Sequence, residues 1–251
     1  MIQLSGTEME KLISGAGRLG LKLSPKQVEQ FDVYYRELTS WNRRINLTAI
    51  TGYEEVQIKH FLDSLTVTLA LKPGDKGFRL IDVGSGAGLP GIPLKILLPD
   101  IRLTLLEATA KKAAFLNHIS QKLGLKDVEV VVGRAEDIAH REQYREQFDI
   151  VLSRAVASLA SLVELTLPFC AIGGSFIAQK KGEVDPELSQ ATGAVGRLGG
   201  KLRERKRIGL AEFSGERWLI IIDKVSPTPE PYPRRAGMPQ KRPLLDKQAK
   251  Q

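Results

Sequence analysis

The sequence has 251 residues, 42% of them hydrophobic, so it can bury the core of one large domain or of one domain with an extension. Its single cysteine, Cys170, excludes an intrachain disulfide and favours a reducing compartment. The net charge of +8 is unevenly spread, because residues 196–207 and residues 224–251 each carry a net +5. This concentration indicates either a polyanionic partner or a solvated face and a loose tail.

The N-terminal residues do not resemble a targeting segment. The opening MIQLSGTEMEK lacks a charged region followed by an apolar one, and no uncharged apolar run reaches membrane-spanning length. We therefore expect a soluble, cytoplasmic protein with no membrane partner.

A long amphipathic helix is predicted to begin at Pro25. Ser24 is typical of an N-cap, Pro25 suits the first helical position and Gln27 completes a capping box. Apolar residues follow at three- and four-residue intervals: Val28, Phe31, Tyr35, Leu38, Trp41 and Ile45. This face must dock on another part of the protein, and we assign the helix to an N-terminal helical cap over residues 1–72.

From Phe78 onward, short β-rich runs alternate with helical ones. The runs are FRLIDV, RLTLLE, VEVVV, FDIVLS and GSFIAQ, followed by RKRIGL and WLIIIDKV as a terminal hairpin. The alternation predicts an α/β fold over residues 73–225, with a mostly parallel seven-stranded sheet, helices on both faces and a terminal antiparallel strand. Six prolines after Val225 exclude regular structure, so residues 226–251 are expected to form a basic tail or an ordered strap.

A glycine-rich turn follows the first predicted strand, in LIDVGSGAGLPGIPL. Gly84, Gly86 and Gly88 form GxGxG, whereas Gly86, Gly88 and Gly91 form the GxGxxG of dinucleotide-binding enzymes. Either pattern alone is a weak signal, so the cofactor must be inferred from the residues around the turn.

Acidic residues near this turn favour a cationic cofactor. Asp82 precedes the turn, Glu107 ends the second strand, and Ala135 with Glu136 follows the third, where the pair could frame an adenine. These acids attract the sulfonium and ammonium of S-adenosylmethionine. They would repel the diphosphate of NAD, which also loses N–H donors to the prolines of the turn. NAD remains the alternative cofactor at this point.

The segment after the fourth strand limits which kind of atom the protein could methylate. Ser153-Arg154-Ala155-Val156 lacks the Asn or Asp, prolines and aromatic residue with which amino-methylating enzymes grip an exocyclic amine. Carbon methylation of pyrimidines needs a cysteine nucleophile, and we interpret the run around Cys170 as an apolar helix. An atom that is already nucleophilic, such as guanine N7, needs no general base. Arg154 would then contact the cofactor or the backbone, since binding N7 would block the reaction; the alternative is a surface ion pair.

Two lysines open the helix after the second strand. Lys111 and Lys112 lie where positive charge opposes the helix dipole, which indicates either a phosphate contact or a charged, solvated first turn.

Over nearly its whole length the sequence resembles the bacterial glucose-inhibited division protein B family, which are small-subunit ribosomal RNA methyltransferases acting on N7 of a guanosine. DVGSGAGLPGIPL and SRAVASL carry the resemblance most specifically, and WNRRINLTAI, KHFLDSL, LLEATAKKAAFL, GRAED and FIAQKKG support it. Ala108 replaces a common serine, and Gln179 and Lys181 replace commoner residues around Lys180. The resemblance implies a class I methyltransferase fold, S-adenosylmethionine as donor, and ribosomal RNA, free or in the subunit, as substrate.

The resemblance also implies roles for individual residues. Cofactor contacts fall on Gly84, Leu89, Ala135, Glu136 and Arg154, beside the candidates Asp82, Gly86, Gly88 and Glu107. His60, Asp63 and Ser64 form an HxxDS element near the pocket mouth. His60 is then a structural histidine or a catalytic residue, with its ring oriented by Asp63. The catalytic candidates are Arg154, His60 and Asp63.

An enzyme acting on RNA requires a basic surface. We predict that surface from Lys111, Lys112, Arg154, Lys180, Arg43, Arg44, Arg234 and Arg235. We expect a monomer and no metal site. An NAD-linked oxidoreductase and a non-catalytic ribosome-binding protein remain the alternatives at this stage.

Overall fold

A computed structural model describes residues 9–72, 77–154 and 157–245 of the protein. Four stretches lie outside the described residues: 1–8 and 73–76, at the starts of two predicted ranges, Ala155 with Val156, and 246–251 at the end of the predicted tail.

A seven-stranded sheet forms the centre of the molecule, with strand order β3-β2-β1-β4-β5-β7-β6. The strands are β1 Arg79–Val83, β2 Arg102–Glu107, β3 Val128–Val132, β4 Phe148–Ser153, β5 Cys170–Lys181, β6 Gly200–Arg207 and β7 Arg217–Lys224. Strands β1 to β5 pair in parallel, and β7 runs antiparallel to both β5 and β6. The predicted α/β fold with a terminal antiparallel strand is confirmed.

The helices precede and surround this sheet. They are α1 Glu10–Arg18, α2 Pro25–Asn42, α3 Tyr53–Val56, α4 Asp63–Leu65, α5 Gly91–Leu97, α6 Ala110–Lys122, α7 Ala135–Ile138, α8 Leu159–Thr166, α9 Asp185–Arg197 and α10 Met238–Lys241. A π-helix, Gln57–Leu62, joins α3 to α4, and a 3₁₀-helix, Thr66–Ala70, follows α4. No helix within the described ranges is long and apolar enough to cross a bilayer.

The expected helix around Cys170 is wrong. Cys170 is the first residue of β5 and pairs in register with Phe148 of β4. The helix α8 ends at Thr166, and the short 3₁₀-helix Leu167–Phe169 leads from it into the strand. The apolar run therefore enters the sheet directly, since a short buried strand and a buried helix look alike in sequence.

Helix α2 begins as predicted and docks on helices α5 and α6. The Ser24 hydroxyl accepts the N–H of Gln27, and the Gln27 side chain accepts the N–H of Ser24. Phe31 is fully buried, as expected from its position on the apolar face. Tyr34, which the periodicity did not single out, is also fully buried and stacks on a neighbouring aromatic ring.

Two apolar cores cover the two faces of the sheet. The first joins the N-terminal helices, α5 and α6 to the side chains of Leu80, Leu103 and Ile150. The second joins α7, α8 and α9 to Val151, Phe176 and other residues of the opposite face. The resulting helix–sheet–helix layers leave the carboxyl ends of the parallel strands at one edge, where open α/β sheets bind ligands.

The C-terminal residues 226–245 form an ordered strap across the second layer of helices, which we call the C-terminal strap. Tyr232 and Leu244 pack against the second core, and Pro239 is buried. Of the two expectations for this segment, the ordered strap describes residues 226–245. The expectation that the prolines exclude regular structure is wrong, because the short helix α10, Met238–Lys241, forms within the strap with Pro239 in its first turn.

Candidate functional site

The turn after β1 adopts a backbone that requires glycine. Gly84, Gly86 and Gly88 have φ angles of 77°, 58° and 87°, in the left-handed region that residues with a Cβ rarely adopt. A Cβ added to Gly84 would meet no atom within 4 Å, so the backbone there borders open space. Gly91 instead lies inside α5, where a Cβ would approach Leu105 and Asp82. The geometry therefore corresponds to GxGxG for the turn, with Gly91 serving close packing.

Carboxylates already accept N–H groups of this turn. Glu107 accepts the N–H of Gly86 at 2.9 Å and that of Thr109 at 2.8 Å. Asp82 accepts the N–H of Gly91 at 2.9 Å. A diphosphate would therefore meet negative charge where it needs free N–H donors, which disfavours a dinucleotide.

Asp82 is fully buried, and its second carboxylate oxygen, Oδ1, has no hydrogen-bond partner within the described part of the chain. Burial raises the pKa of Asp82 to about 7, although the hydrogen bond from Gly91 opposes the shift. An unpaired buried carboxylate oxygen is costly unless a ligand supplies a donor. Together with the opening at Gly84, this orphaned oxygen fits a small cofactor that carries a positive charge.

The remaining predicted cofactor residues lie at the same edge of the sheet or next to the turn. Leu89 is buried beside the turn, and Ala135 and Glu136 open α7 directly after β3. Glu136 is 9% exposed, and its Oε1 accepts the N–H of Gly237 from the C-terminal strap at 2.8 Å. One end of the candidate site is thus covered by a segment distant in sequence.

Helix α2 also reaches the turn. The Tyr34 hydroxyl donates to the carbonyl of Ala87, and burial raises its pKa well above the ordinary value. Sequence reasoning missed Tyr34, since only its position against the turn gives it this role.

The π-helix, which holds His60, and α4, which holds Asp63 and Ser64, bring the HxxDS element to the end of β4. Arg154 Nη1 lies 3.3 Å from the Lys59 carbonyl and 3.4 Å from Asp63 Oδ2. Asp63 Oδ1 lies 3.5 Å from Nε of Arg217, at the start of β7. Asp63 is therefore a buried carboxylate between two arginines, and no sequence motif pointed to Arg217.

The expected pairing of His60 with Asp63 is wrong. The Nε2 atom of His60 shares a hydrogen bond of 2.7 Å with the Thr48 hydroxyl, and its Nδ1 lies 3.2 Å from the Lys59 carbonyl. Burial and the nearby Arg154 charge lower the His60 pKa to about 4, so its ring is neutral at pH 7. Its contacts are those of a structural histidine at the rim of the site.

A basic cavity of 360 Å³ opens beside these residues, within the usual size range of ligand pockets. Its lining residues are Lys59, His60, Arg154, Gln179, Lys180, Lys181 and Glu187. Lys180 is tied to Glu187 at 2.6 Å and to the Ala157 carbonyl at 2.8 Å, whereas Lys181 is exposed. Four cations face one carboxylate, so the cavity suits an anionic ligand.

The structure separates the basic residues predicted to contact RNA. Arg43, Arg44, Lys111 and Arg235 are exposed, and Lys112 is half-buried in the first turn of α6. Arg234 instead forms an ion pair of 2.6 Å with the fully buried Glu164, so we withdraw it from the predicted RNA surface. Across the described ranges, no group of three or more His, Cys, Asp or Glu residues could hold a metal ion.

The strand order and the left-handed glycine turn are those of the class I methyltransferase fold. The fold agrees with a solved S-adenosylmethionine-dependent methyltransferase from Aquifex aeolicus, which aligns with a TM-score of 0.51 at 14% identity over 69% of this chain and 94% of that one.

The sequence comparisons identify the family. The family described as rRNA small subunit methyltransferase G matches residues 27–206. A relative named ribosomal RNA small subunit methyltransferase G, from Dehalococcoides mccartyi, is 53% identical over 237 residues, covering 94% of this chain and 100% of the relative. A relative of the same name from Roseiflexus castenholzii is 51% identical, with the same coverage of both chains. The chain therefore belongs to the rRNA small subunit methyltransferase G family, and the predicted methyl donor, S-adenosylmethionine, is confirmed.

Proposed function

We propose that the protein transfers a methyl group from S-adenosylmethionine to N7 of a guanosine in small-subunit ribosomal RNA. Family membership supports the reaction class and the substrate. The observation that carries the choice of N7 is that the two candidate general bases of the HxxDS element, His60 and Asp63, are both already paired. The His60 ring is hydrogen-bonded on both nitrogens, and Asp63 lies between two arginines. Guanine N7 has an in-plane lone pair and no proton to lose, so it needs no general base.

The acids around the glycine turn hold the cofactor in this proposal. Asp82 Oδ1 accepts from the ammonium group, and Glu107 binds the ribose hydroxyls with the lone pairs that its two backbone hydrogen bonds leave free. Ala135, Glu136 and Leu89 enclose the adenine end. When bound, S-adenosylmethionine supplies an electrophilic methyl group on a positively charged sulfur.

The basic cavity receives the guanosine in this proposal. Arg154 is fixed by the Lys59 carbonyl and Asp63, which holds its guanidinium at the boundary between the cavity and the end of β4. Lys181 is placed to meet the phosphates of the target nucleotide, whereas Lys59 is paired with Glu55 and Lys180 with Glu187, so these two lysines maintain the cavity wall. The protein's contribution is then positioning and electrostatics.

Exposed cations continue this surface away from the cavity. Lys111 and Lys112 on α6, and Arg43 and Arg44 after α2, are free to contact the RNA backbone, and Arg235 extends the surface on the strap. The enzyme acts in this proposal as a cytoplasmic monomer on the free RNA or the assembling subunit. Sedimentation of the enzyme alone should give a mass near 27.7 kDa.

Substituted guanosine analogues test the target atom. Ribosomal RNA made with 7-deazaguanosine lacks N7, so labelled methyl transfer should fall to background, both on free RNA and on reconstituted particles. RNA made with inosine keeps N7 but lacks the exocyclic amine, so it should still accept label. Labelling of the deaza RNA, or its loss only with inosine, would contradict the choice of N7.

A further inference from the structure

The C-terminal strap is anchored by a buried ion pair. The Glu164 side chain, on α8, is fully buried. Its Oε1 accepts the backbone N–H of Arg234 at 2.9 Å and the Nε–H at 2.8 Å, and its Oε2 accepts from Nη2 at 2.6 Å. A buried carboxylate requires such partners, since losing them leaves a buried charge without compensation. The strap therefore cannot lift from α8 without exposing Glu164 or leaving it unpaired.

Further hydrogen bonds hold the strap on both sides of this pair. The Ser161 hydroxyl on α8 donates to the Pro239 carbonyl at 2.8 Å, and His140 Nε2 lies 2.8 Å from the Pro233 carbonyl. Arg145 donates to the Tyr232 carbonyl at 2.9 Å. The segment on either side of Arg234 thus has one defined position against α7 and α8.

This position brings the strap to the cofactor end of the sheet. Gly237, three residues after Arg234, has a φ of 80° and donates its N–H to Glu136 Oε1 at 2.8 Å. The contact occupies one oxygen of Glu136 and leaves the other for a ligand. The orientation of Glu136 therefore depends on a strap that is held by Arg234.

We propose that Arg234 is a positioning residue for the methyl-donor site: its ion pair with Glu164 seats the C-terminal strap, and the seated strap orients Glu136 toward the cofactor. This proposal rests on the cofactor role given to Glu136 above. It assigns to the strap a part in donor binding and removes Arg234 from the set of RNA contacts.

Calorimetric titration of S-adenosylmethionine into the RNA-free protein tests the proposal. Arg234→Gln and Glu164→Gln should each raise the Kd on the order of tenfold, as expected for coupled sites. The double variant should be no weaker than either single one, because both changes release the same contact. Lys241→Gln, an exposed lysine elsewhere on the strap, should leave the Kd unchanged. A folded Arg234→Gln variant with wild-type Kd would overturn the proposal.

Three further measurements decide between the possible outcomes. If both glutamine variants fail to fold, Arg234→Lys keeps the charge but loses the forked contact, and its Kd should still rise. By reciprocity, S-adenosylmethionine should slow trypsin cleavage within the strap of the wild-type protein, and no protection would contradict the proposal. The Glu136→Ala variant distinguishes failure of the cofactor role of Glu136 from failure of the positioning role of Arg234. If this variant keeps the wild-type Kd, the cofactor role of Glu136 fails. If it binds weakly while Arg234→Gln does not, only the positioning role fails.

Discussion

Asp82 is the carboxyl group through which pH should control donor binding. Burial raises its pKa to about 7, so the folded protein binds a proton there that the unfolded chain releases near pH 4. Asp82 contributes stability below its unfolded pKa, and that contribution is lost as the pH rises through 7. A bound cationic ligand instead stabilises the ionised carboxylate and lowers the pKa of Asp82.

We therefore expect S-adenosylmethionine to bind more tightly as the pH rises from 6 to 8, by up to about tenfold, because a carboxyl group with a pKa of about 7 changes from mostly protonated to mostly ionised over this range. Calorimetric titration across this range measures the Kd and the proton released. Asp82→Asn keeps a side-chain oxygen for the Gly91 N–H but cannot ionise, so it controls for titration of the ligand's own amino group. A wild-type pH profile identical to that of the variant would contradict the role of Asp82.

Cys170 should be chemically silent. Burial raises the pKa of its thiol to about 12, and the side chain is fully buried at the start of β5. A cysteine nucleophile needs an accessible thiolate, which this position denies. Cys170→Ala should retain methyl transfer, and the native thiol should resist iodoacetamide until the protein unfolds. Loss of activity in a variant that remains folded would instead indicate a covalent mechanism.

At the scale of the elements, α2 supports the glycine turn through one side chain. The Tyr34 hydroxyl satisfies the Ala87 carbonyl inside the core. Tyr34→Phe leaves that carbonyl without its donor, so the free energy of unfolding should fall by about 1–3 kcal/mol. The affinity for S-adenosylmethionine should fall with it, because the turn loses its support. Urea unfolding and calorimetry measure the two effects.

The neighbouring tyrosine supplies the control. The Tyr35 hydroxyl donates at 3.3 Å to the exposed carbonyl of Thr51. Tyr35→Phe should therefore change the unfolding free energy by less than about 0.5 kcal/mol and leave donor binding intact. Equal effects of the two substitutions would show that Tyr34 acts only through general packing.

At the scale of the whole molecule, net charge is a poor guide to the RNA surface. Several arginines of the basic strand β6 are already paired: Arg203 with Asp223, Arg205 with Asp185 and Arg207 with Glu216. Lys111 and Lys112 form no ion pair with any residue that the structure describes, and they open α6 at the edge of the sheet that holds the site. We therefore place RNA contact on α6 rather than on β6.

Salt titration of RNA binding tests this placement. Lys111→Gln combined with Lys112→Gln should reduce the slope of log K against log salt by roughly 1.5, the value expected for two lost phosphate contacts. The Kd for S-adenosylmethionine should not change. Arg205→Gln removes a cation from β6 and should leave the slope unaltered; the reverse pattern would move the RNA surface to β6.

Features that depend on neighbouring residues follow from the sequence, whereas features that depend on residues far apart in the chain do not. The capping box at Ser24 and the ends of β2, β3 and β4 were predicted to the residue. Those features depend on neighbours within a few positions. Cys170 was assigned to a helix because a short buried run has no distinguishing period. Tyr34 was passed over because its importance comes from Ala87, 53 positions away.

The sequence by itself determined the α/β layers, the glycine turn with its acids, and the family, since each is encoded in local spacing or in contiguous motifs. Only the tertiary structure decided which charges are paired. Asp63 meets Arg154 across 91 positions rather than its neighbour His60, and Arg234 meets Glu164 across 70. The reason is that a buried charge must be neutralised by whichever group the fold brings within hydrogen-bonding distance, and that group is chosen by packing rather than by proximity along the chain.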